Sequence, residues 1–195
     1  MVFGTRLIKN KWLWCAISAY LILGIYLLYV TYSTPFLGIK LEEKNDQWLI
    51  IDPYYKEWAE KQKIATGDII LDIDGKNIAD LENITYNPVI RVAKELTLLK
   101  KNGETIHLQI APFDIPEQLL YVLVLPGIFY LLSLFISIYL YYKQKNTSLI
   151  NLLILFILTV SLAYVSIGAS GRLNSVGTVV NRSSMLLCLI ILIHF

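Results

Sequence analysis

The run WLWCAISAYLILGIYLLYVTY covers residues 12–32 and contains no charged side chain. Its 21 residues match the roughly 20 that an α-helix needs to cross a bilayer hydrocarbon core. Arg6, Lys9 and Lys11 precede the run, and basic residues concentrate on the cytoplasmic side of membrane spans. The sequence therefore predicts a first transmembrane helix at 12–32 and a cytoplasmic N-terminus at 1–11.

A cleaved signal peptide is the alternative interpretation of this run. The run is longer than the apolar region of a signal peptide and lacks a small-x-small cleavage site. It also ends in an aromatic pair, Tyr29 and Tyr32, which is typical of a membrane interface. We therefore favour a retained membrane anchor.

Charge divides the chain into two kinds of segment. Residues 33–118 contain all 15 acidic residues and ten of the 17 basic ones, a net charge of −5, whereas the remainder carries +7. The whole chain is 56% hydrophobic, above the roughly 45–50% of soluble domains. This partition predicts one water-exposed domain inserted between membrane spans. The net charge of +2 gives no indication of nucleic-acid binding.

Two further apolar stretches of spanning length follow the domain. Residues 119–142 predict a second span, with a kink at Pro126-Gly127 near its outer end. A short polar hairpin at 143–148 carries two lysines, so the positive-inside rule places it in the cytoplasm. Residues 149–167 then predict a third span that returns outward. The domain at 33–118 is accordingly predicted to be extracellular in a multi-pass cell-membrane protein.

The last part of the chain predicts a loop and an incomplete span. Residues 168–184 are rich in Gly, Ser and Asn and carry Arg172 and Arg182, which indicates an extracellular loop. The apolar run at 185–195 has eleven residues, about half of what a crossing needs. We interpret it as the start of a fourth transmembrane helix and expect the chain to be the front part of a longer protein.

Hydrophobic alternation predicts mostly strands in the domain at 33–118. A Gly-Asp turn at 67–68 begins an alternating strand, and Asp74-Gly75 is a tight hairpin signal. Leu81–Lys94 has a helical pattern that is interrupted by Pro88. The other predicted elements are strands at Gly38–Glu43, Trp48–Ile51, Leu96–Lys100 and Thr105–Ile110, a helix at Lys56–Lys63 and a turn at Lys101–Glu104.

Two motifs of this domain resemble PDZ domains of the bacterial type. That family has Tyr/Phe-Leu-Gly-Ile in its carboxylate-binding loop and, later, Gly-Asp-x-Ile-Leu-x-Ile-Asn-Gly-Lys. Here Phe36-Leu37-Gly38-Ile39 and the run GDIILDIDGK at 67–76 stand in those places. The resemblance implies an extracellular α+β PDZ-like domain inserted into an α-helical transmembrane protein.

The same resemblance implies a peptide-binding groove. In such domains the backbone N–H groups of the loop hold a peptide C-terminus, and the following strand edge accepts an extended peptide. Many PDZ-like envelope domains are instead spacers or dimer contacts without a free groove. Carried over residue by residue, peptide binding would fall on Phe36, Leu37, Gly38 and Ile39, facing a helix with Val89, Val92 and Ala93.

The sequence contains no catalytic or metal-binding pattern that we recognise. His107 and His194 do not belong to a His-Glu-x-x-His motif, which removes the intramembrane metalloprotease interpretation. Ser170 lies in a Gly-Ala-Ser-Gly turn without a plausible His/Asp partner. Cys15 and Cys188 lie in apolar runs and are expected to be membrane-buried. We expect no catalytic residue, metal or cofactor.

The order of segments resembles the N-terminal sensor region of the ComP family, the competence pheromone receptor histidine kinases of Gram-positive bacteria. The resemblance covers nearly the whole chain, from the basic N-terminus and first span through the PDZ-like domain. Its later motifs are Val124-Leu125-Pro126, Phe129-Tyr130-Leu131-Leu132-Ser133, Ala163-Tyr164-Val165-Ser166-Ile167-Gly168 and Val180-Asn181-Arg182.

The resemblance implies the input region of a two-component quorum-sensing system. In that family a prenyl-modified tryptophan peptide pheromone binds the membrane sensor, and the signal passes to a cytoplasmic phosphoacceptor histidine and an ATP-binding domain. This sequence contains neither, so we expect a truncated, non-enzymatic chain that binds the peptide and forms a homodimer in the bilayer. Pheromone contacts are expected in the loop at 168–184 and the outer ends of the spans.

Two other functions remain open at the level of sequence. A membrane-anchored PDZ scaffold would capture the C-termini of envelope proteins. A protease accessory subunit would have only the PDZ resemblance in its favour, and a fold alone does not give function.

Overall fold

The computed structural model describes residues 2–81, 84, 86–111, 114–115, 118–143 and 148–194, with side chains described from residue 14 onward. The chain separates into two compact units. The sheet unit consists of Thr31–Val124 and Gly171–Asn174, and the helical unit consists of Met1–Val30, Leu125–Ser170 and Ser175–Phe195. The range 33–118, predicted from charge as a domain, lies within the longer segment of the sheet unit.

The described elements follow one another along the chain as helices, then strands, then helices. In order they are α1 (Val2–Ser33), β1 (Phe36–Lys44), β2 (Gln47–Pro53), α2 (Lys56–Lys61), β3 (Ile69–Ile73), β4 (Lys76–Asn77), a 3₁₀ turn (Ile78–Asp80), β5 (Val89–Val92), β6 (Glu95–Leu99), β7 (Thr105–Gln109), a π-helical segment (Leu119–Val124), α3 (Leu125–Lys143), α4 (Ser148–Gly171) and α5 (Ser175–Ile193).

The described part of the chain has four helices that are long and apolar enough to cross a membrane. Their apolar stretches have 19 to 25 residues, and about 20 suffice for a bilayer. Length and composition thus agree with a multi-pass membrane protein. The four stretches are Trp14–Ser33, Leu119–Lys143, Ser148–Gly171 and Ser175–Ile193.

The last part of the chain differs from the sequence prediction. A loop was expected at 168–184, followed by a span that begins at residue 185. Instead α4 continues to Gly171 and α5 begins at Ser175. The connection between the two helices is therefore only three residues long, and the fourth helix has 19 residues rather than eleven.

The small polar residues that suggested a loop belong to helix packing. A Cβ added at Gly177 would lie 2.6 Å from the Cβ of Ala169, so only glycine permits this approach of α4 and α5. Asn181 Nδ2 donates to the carbonyl of Ala163 at 3.0 Å. Small residues and interhelical amide bonds are the usual means of helix association in a bilayer. The same Gly, Ser and Asn residues that indicate a loop in a soluble protein can therefore form a contact between membrane helices.

Two other predicted boundaries concern the segments that the sequence predicts to be cytoplasmic. The structure begins α1 at Val2, so the N-terminal segment at 1–11 continues the first helix from residue 2 onward. Most of the predicted hairpin at 143–148 lies outside the described residues, since 144–147 are not described.

An aromatic pair holds α1 against α3 in the helical unit. The rings of Tyr20 and Tyr130 are stacked with centroids 4.4 Å apart, and the Tyr130 hydroxyl donates to the carbonyl of Tyr20. A Cβ at Gly24 would overlap the Tyr130 ring, so the glycine makes room for it. The hydroxyls of Tyr20 and Ser161 are hydrogen-bonded at 2.5 Å, which adds α4 to the same contact.

The sheet unit is built on one antiparallel sheet. Its strand order is β5-β1-β2-β3-β6-β7, and β4 pairs with β3. Alternating apolar residues direct one face into the core, where β-branched and aromatic side chains pack well. The largest buried core residues include Leu37, Ile39, Ile50, Trp58, Ile70, Ile73, Ile90, Leu96 and Leu98.

The predicted hairpins are confirmed. Asp74 and Gly75 have φ of +51° and +73° and connect β3 to β4, whose end residues Ile73 and Lys76 pair. Positive φ at both positions is the geometry that favours Asp-Gly in a two-residue turn. The turn at Lys101–Glu104 likewise connects the antiparallel strands β6 and β7.

The helix predicted at Leu81–Lys94 is wrong for its second half. Val89–Val92 form strand β5, which pairs antiparallel with β1. Pro88 cannot continue a helix, and three of the four residues after it are β-branched, which favours a strand. The edge of β1 was available to receive this strand, and such a distant pairing is invisible in local periodicity. Residues 82, 83 and 85 lie outside the described part.

Candidate functional site

The predicted carboxylate loop lies at the start of β1. Leu37 and Ile39 have no exposed surface, and Gly38 between them has a φ of +64°. The Gly38 carbonyl accepts a hydrogen bond of 3.2 Å from the N–H of Tyr54. The register between β1 and β5 shifts between Phe36 and Ile39. This motif therefore forms a buried bulge of the sheet.

The groove implied by the PDZ resemblance is occupied by the chain itself. Phe36 pairs with Val92 and Ile39 with Ile90, while the other side of β1 pairs with β2. Strand β1 thus has no free edge for a peptide. The seven predicted residues do come together, but Val89 and Val92 approach as a strand, and Ala93 is fully buried.

The sheet offers a different edge beside this motif, because β5 is the terminal strand. The N–H of Leu41 in β1 donates to the carbonyl of Pro88 at 2.8 Å. Ile90 pairs with Ile39 of β1, and alternate residues of a strand direct their backbone groups to the same side. The backbone groups of Val89, which lies between Pro88 and Ile90, therefore point toward the open edge.

A cleft of about 190 Å³ runs along this edge. For comparison, an apolar cavity of about 150 Å³ is large enough to hold a benzene ring, so one aromatic or branched side chain fits. Residues from both faces of the strand line the cleft, which places it at the edge itself. Besides β5 its walls are Ile73, Leu81, Ile84, Asn87 and Leu173.

A buried arginine fixes the short loop that contributes to this cleft. Arg172 is only 8% exposed, and its Nη2 donates to Gln118 Oε1 at 2.7 Å. Its Nε donates to the carbonyl of Thr34. Burial lowers the pKa of Arg172 to about 10, an effect that the nearby Tyr55 partly opposes. The guanidinium therefore remains charged at neutral pH.

The side-chain amide of Gln118 bonds both backbone groups of Phe36, as a paired strand residue does. Its Oε1 accepts from the N–H of Phe36 at 3.2 Å, and its Nε2 donates to the carbonyl of the same residue. Gln118 is 5% exposed, so these bonds satisfy an amide whose burial would otherwise be costly. Gln118 thus anchors the beginning of β1 and also receives Arg172.

Leu173 reaches the cleft from an unfavourable backbone conformation. Its φ is +60°, which costs a non-glycine residue on the order of 1 kcal/mol or more. Its side chain is nevertheless 58% exposed and lines the cleft. The hydrogen bonds of Arg172 hold the loop in this conformation. Arg172 therefore fixes the position of Leu173 at the cleft.

A buried ion pair supports the Gly-Asp motif at 67–68. Asp68 is 2% exposed and accepts from Lys100 Nζ at 2.7 Å, and it also accepts from the N–H of Ala65 at 2.7 Å. Gly67 has a φ of +89°, a conformation that glycine adopts without strain. The Gly-Asp pair is therefore explained by folding, through backbone conformation and charge pairing.

His107, Cys15 and Cys188 belong to different elements, namely β7, α1 and α5. His107 bonds through Nδ1 to the Thr97 hydroxyl at 3.0 Å, and Cys15 and Cys188 are free thiols. Within the described ranges, no three His, Cys, Asp or Glu side chains converge in a way that could hold a metal ion.

Sequence reasoning missed the parts of the site that depend on tertiary contacts. It named Arg172 only as a loop residue and gave no role to Gln118, Arg91 or Leu173. A glutamine directly before an apolar run is the only local signal for Gln118. The open edge of β5 had no signal, since the strand itself was expected to be helical.

No family model, no curated protein and no solved structure matches this chain.

Proposed function

We propose that this chain is the signal-input region of a two-component quorum-sensing histidine kinase, which detects an extracellular peptide pheromone and controls competence. The ligand class is a prenyl-modified tryptophan peptide, as the resemblance to the ComP family implies. In this proposal the N-terminus is cytoplasmic, residues 33–118 face outward, and two copies pair in the bilayer. The order of spans around one folded insertion supports it.

One observation carries the proposal: the sheet unit includes three chain segments, one that follows α1, one that leads to α3 and one that joins α4 to α5. It contains the end of α1 from Thr31, the π-helical Leu119–Val124, and the loop Gly171–Asn174. A ligand that binds one packing of the sheet unit more tightly than another shifts the balance between them. Through these connections the shift would reach α1, α3, α4 and α5.

In this proposal the π-helical segment before α3 is the element that transmits the shift. Leu119–Val124 have i→i+5 hydrogen bonding, and π-helical turns occur frequently at functional sites. Conversion of this segment to α-helical bonding would change the register of α3. In the proposed mechanism ligand binding selects between the two forms.

The alternative, a PDZ scaffold for the C-termini of envelope proteins, receives less support. Capture beside the Phe36–Ile39 motif would require β5 to leave β1, with loss of the pairs that Phe36 and Ile39 make. Such exchange would expose Leu37 and Ile39, both now fully buried. A free-carboxylate peptide whose binding disappears on amidation and whose binding also releases β5 would favour this alternative.

Photo-crosslinking in lipid nanodiscs tests the proposal. A prenylated tryptophan peptide with a photoreactive group is expected to label the full chain more strongly than its unprenylated counterpart, and excess unlabelled peptide should compete. Equal labelling by the two peptides would contradict the pheromone-receptor function. A cysteine introduced at exposed Lys76, reactive with an impermeant maleimide in cells, would test the extracellular position of 33–118.

A further inference from the structure

Strand β7 ends the sheet on the side opposite to β5. Hydrogen bonds just beyond its two ends show which of its residues bond to β6. The N–H of Lys100 donates to the carbonyl of Glu104 at 2.8 Å, and the N–H of Ile110 donates to the carbonyl of Lys94 at 2.7 Å. Both contacts continue the register between β6 and β7, in which hydrogen-bonded and non-hydrogen-bonded pairs alternate.

This alternation directs the backbone groups of Thr105, His107 and Gln109 away from β6. Ile106 and Leu108 occupy the hydrogen-bonded pairs with β6, so the other three residues of β7 direct their N–H and carbonyl groups to its outer side. No strand lies on that side in the described part of the chain. The outer side of β7 is therefore an edge to which another strand can be added.

The sequence of β7 lacks the features that keep sheet edges from pairing. Proline, charged side chains and bulges are the usual ones. The strand Thr105–Gln109 reads TIHLQ, without Pro, Asp, Glu, Lys or Arg, and its described pairs with β6 show no register shift. The opposite edge strand, β5, has Pro88 directly before it and contains Arg91. We therefore expect pairing at β7 rather than at β5.

The apolar side chains of β7 are incompletely covered. Ile106 and Leu108 pair with Leu98 and Leu96 of β6. The two leucines of β6 are completely buried, with at most 1% exposure, whereas Ile106 and Leu108 are only half-buried. A further strand with apolar residues at alternate positions would cover them, because alternate side chains lie on the same face of a sheet.

A second copy of β7 supplies such a strand. In an antiparallel pair centred on His107, Ile106 lies opposite Leu108 of the second copy. Thr105 likewise lies opposite Gln109 of the second copy. Apolar residues then meet on one face and uncharged polar residues on the other, with no like charges opposed. The same register places the outward backbone groups of both strands opposite each other, in hydrogen-bonded pairs.

We propose that two copies of this chain associate by antiparallel pairing of their β7 strands, with a two-fold axis at His107. The two sheets then continue into one another across the interface. This inference rests on the pairing of two copies in the proposed function and gives that pairing an interface, which involves no ligand.

Disulfide crosslinking of the full chain in liposomes tests the register, in a background of Cys15→Ser and Cys188→Ser. His107→Cys should give a dimer on mild oxidation, because Cα atoms about 5.5 Å apart lie within the disulfide range of about 4.4–6.8 Å. Thr105→Cys is the matched control, since its two copies would be separated by about 14 Å along the strands. A mixture of Thr105→Cys and Gln109→Cys chains should crosslink. Equal crosslinking of His107→Cys and Thr105→Cys, or none of either, would overturn the proposal.

A backbone substitution separates strand pairing from side-chain contact. Gln109→Pro removes an N–H that points away from β6, so β7 keeps its bonds to β6, and proline is tolerated on an edge strand. It removes bonds to the second copy on both sides of the axis and should weaken dimerisation about tenfold. Gln109→Ala keeps the N–H and should dimerise like the parent chain. Energy transfer between donor- and acceptor-labelled chains in liposomes measures dimerisation, and denaturant unfolding checks that the sheet unit is intact.

A charge at the two-fold axis gives a second test that leaves the backbone unchanged. His107→Lys places two ammonium groups opposite each other, which is destabilising, and should weaken dimerisation. Ala79→Lys adds the same charge at an exposed position outside the strands and should have no effect. A mixture of His107→Lys and His107→Glu chains should recover pairing. Unchanged dimerisation of His107→Lys would contradict the proposed interface.

The outcomes distinguish this interface from the receptor function. Prenylated peptide that labels the chain specifically, together with absence of the His107→Cys crosslink, would leave the receptor function in place and remove the β7 interface. A His107→Cys crosslink with equal labelling by prenylated and unprenylated peptides would support the interface and contradict the receptor function.

Discussion

Arg172 Nη2 lies 2.7 Å from Gln118 Oε1, and the same guanidinium donates to the carbonyl of Thr34. Thr34 follows the end of α1, and Gln118 precedes the π-helical segment. One buried cation from the loop between α4 and α5 thus joins both ends of the inserted domain. These contacts hold together three chain segments, which lead to α1, α3, α4 and α5.

Replacement of Arg172 by alanine should destabilise the sheet unit. The change leaves the Thr34 carbonyl and the Gln118 amide oxygen without a charged donor, and hydrogen bonds to charged groups are each worth about 1.5–3 kcal/mol. Thermal unfolding of the full chain in nanodiscs, followed by near-UV circular dichroism, measures the loss. Arg182→Ala, at an exposed arginine of α5, is the control. Equal stability of the two variants would argue against the junction.

The Asp68–Lys100 pair should behave as a buried ion pair. Asp68→Ala leaves Lys100, which is 11% exposed, without its carboxylate, and such a break typically costs about 3–5 kcal/mol. Asp68→Leu combined with Lys100→Met removes both charges and should recover most of that loss. Asp72→Ala, at a half-buried carboxylate of β3, should have little effect. Denaturant unfolding gives the three free energies.

Gly38 should be required for backbone reasons. Gly38→Ala places a Cβ at positive φ and 2.8 Å from the Cβ of Tyr54, so strain and overlap add. We expect a loss of about 2–4 kcal/mol, the larger part from overlap. Gly103→Ala has a similar positive φ of +85° but open space around it, and should cost only about 1 kcal/mol. Similar losses at both positions would remove the role of Tyr54.

The contact between α1 and α3 should depend on Gly24. Gly24→Ala puts a methyl group into the Tyr130 ring, and overpacking of this kind typically costs about 1–3 kcal/mol. Gly127→Ala is the control in the same unit, because its nearest neighbour, Leu28, would be 3.7 Å away. Adding Tyr130→Leu to Gly24→Ala should restore part of the stability. Thermal unfolding of the helices in nanodiscs would detect each change.

The sequence predicted the features that depend on residues close together in the chain. Long uncharged runs indicated the first three spanning helices, because a bilayer requires about 20 apolar residues whatever they pack against. Asp74-Gly75 indicated its hairpin, because the conformation of a two-residue turn depends on the turn residues themselves. Segregation of the acidic residues indicated the inserted domain. The peptide-sensing function also comes from the sequence and remains a prediction.

Tertiary structure alone decided where β5, α5 and Arg172 are placed. Val89–Val92 became a strand because β1 had an edge to pair with, and Ser175–Ser184 became helical because Gly177 and Asn181 found partners on α4. Arg172 became buried because Thr34 and Gln118, distant in the chain, supply acceptors for its donors. Local sequence determines the length of an apolar segment and the conformation of a tight turn. Contacts between residues that are distant in the chain depend on which strand edges and buried polar groups the rest of the fold leaves without hydrogen-bond partners.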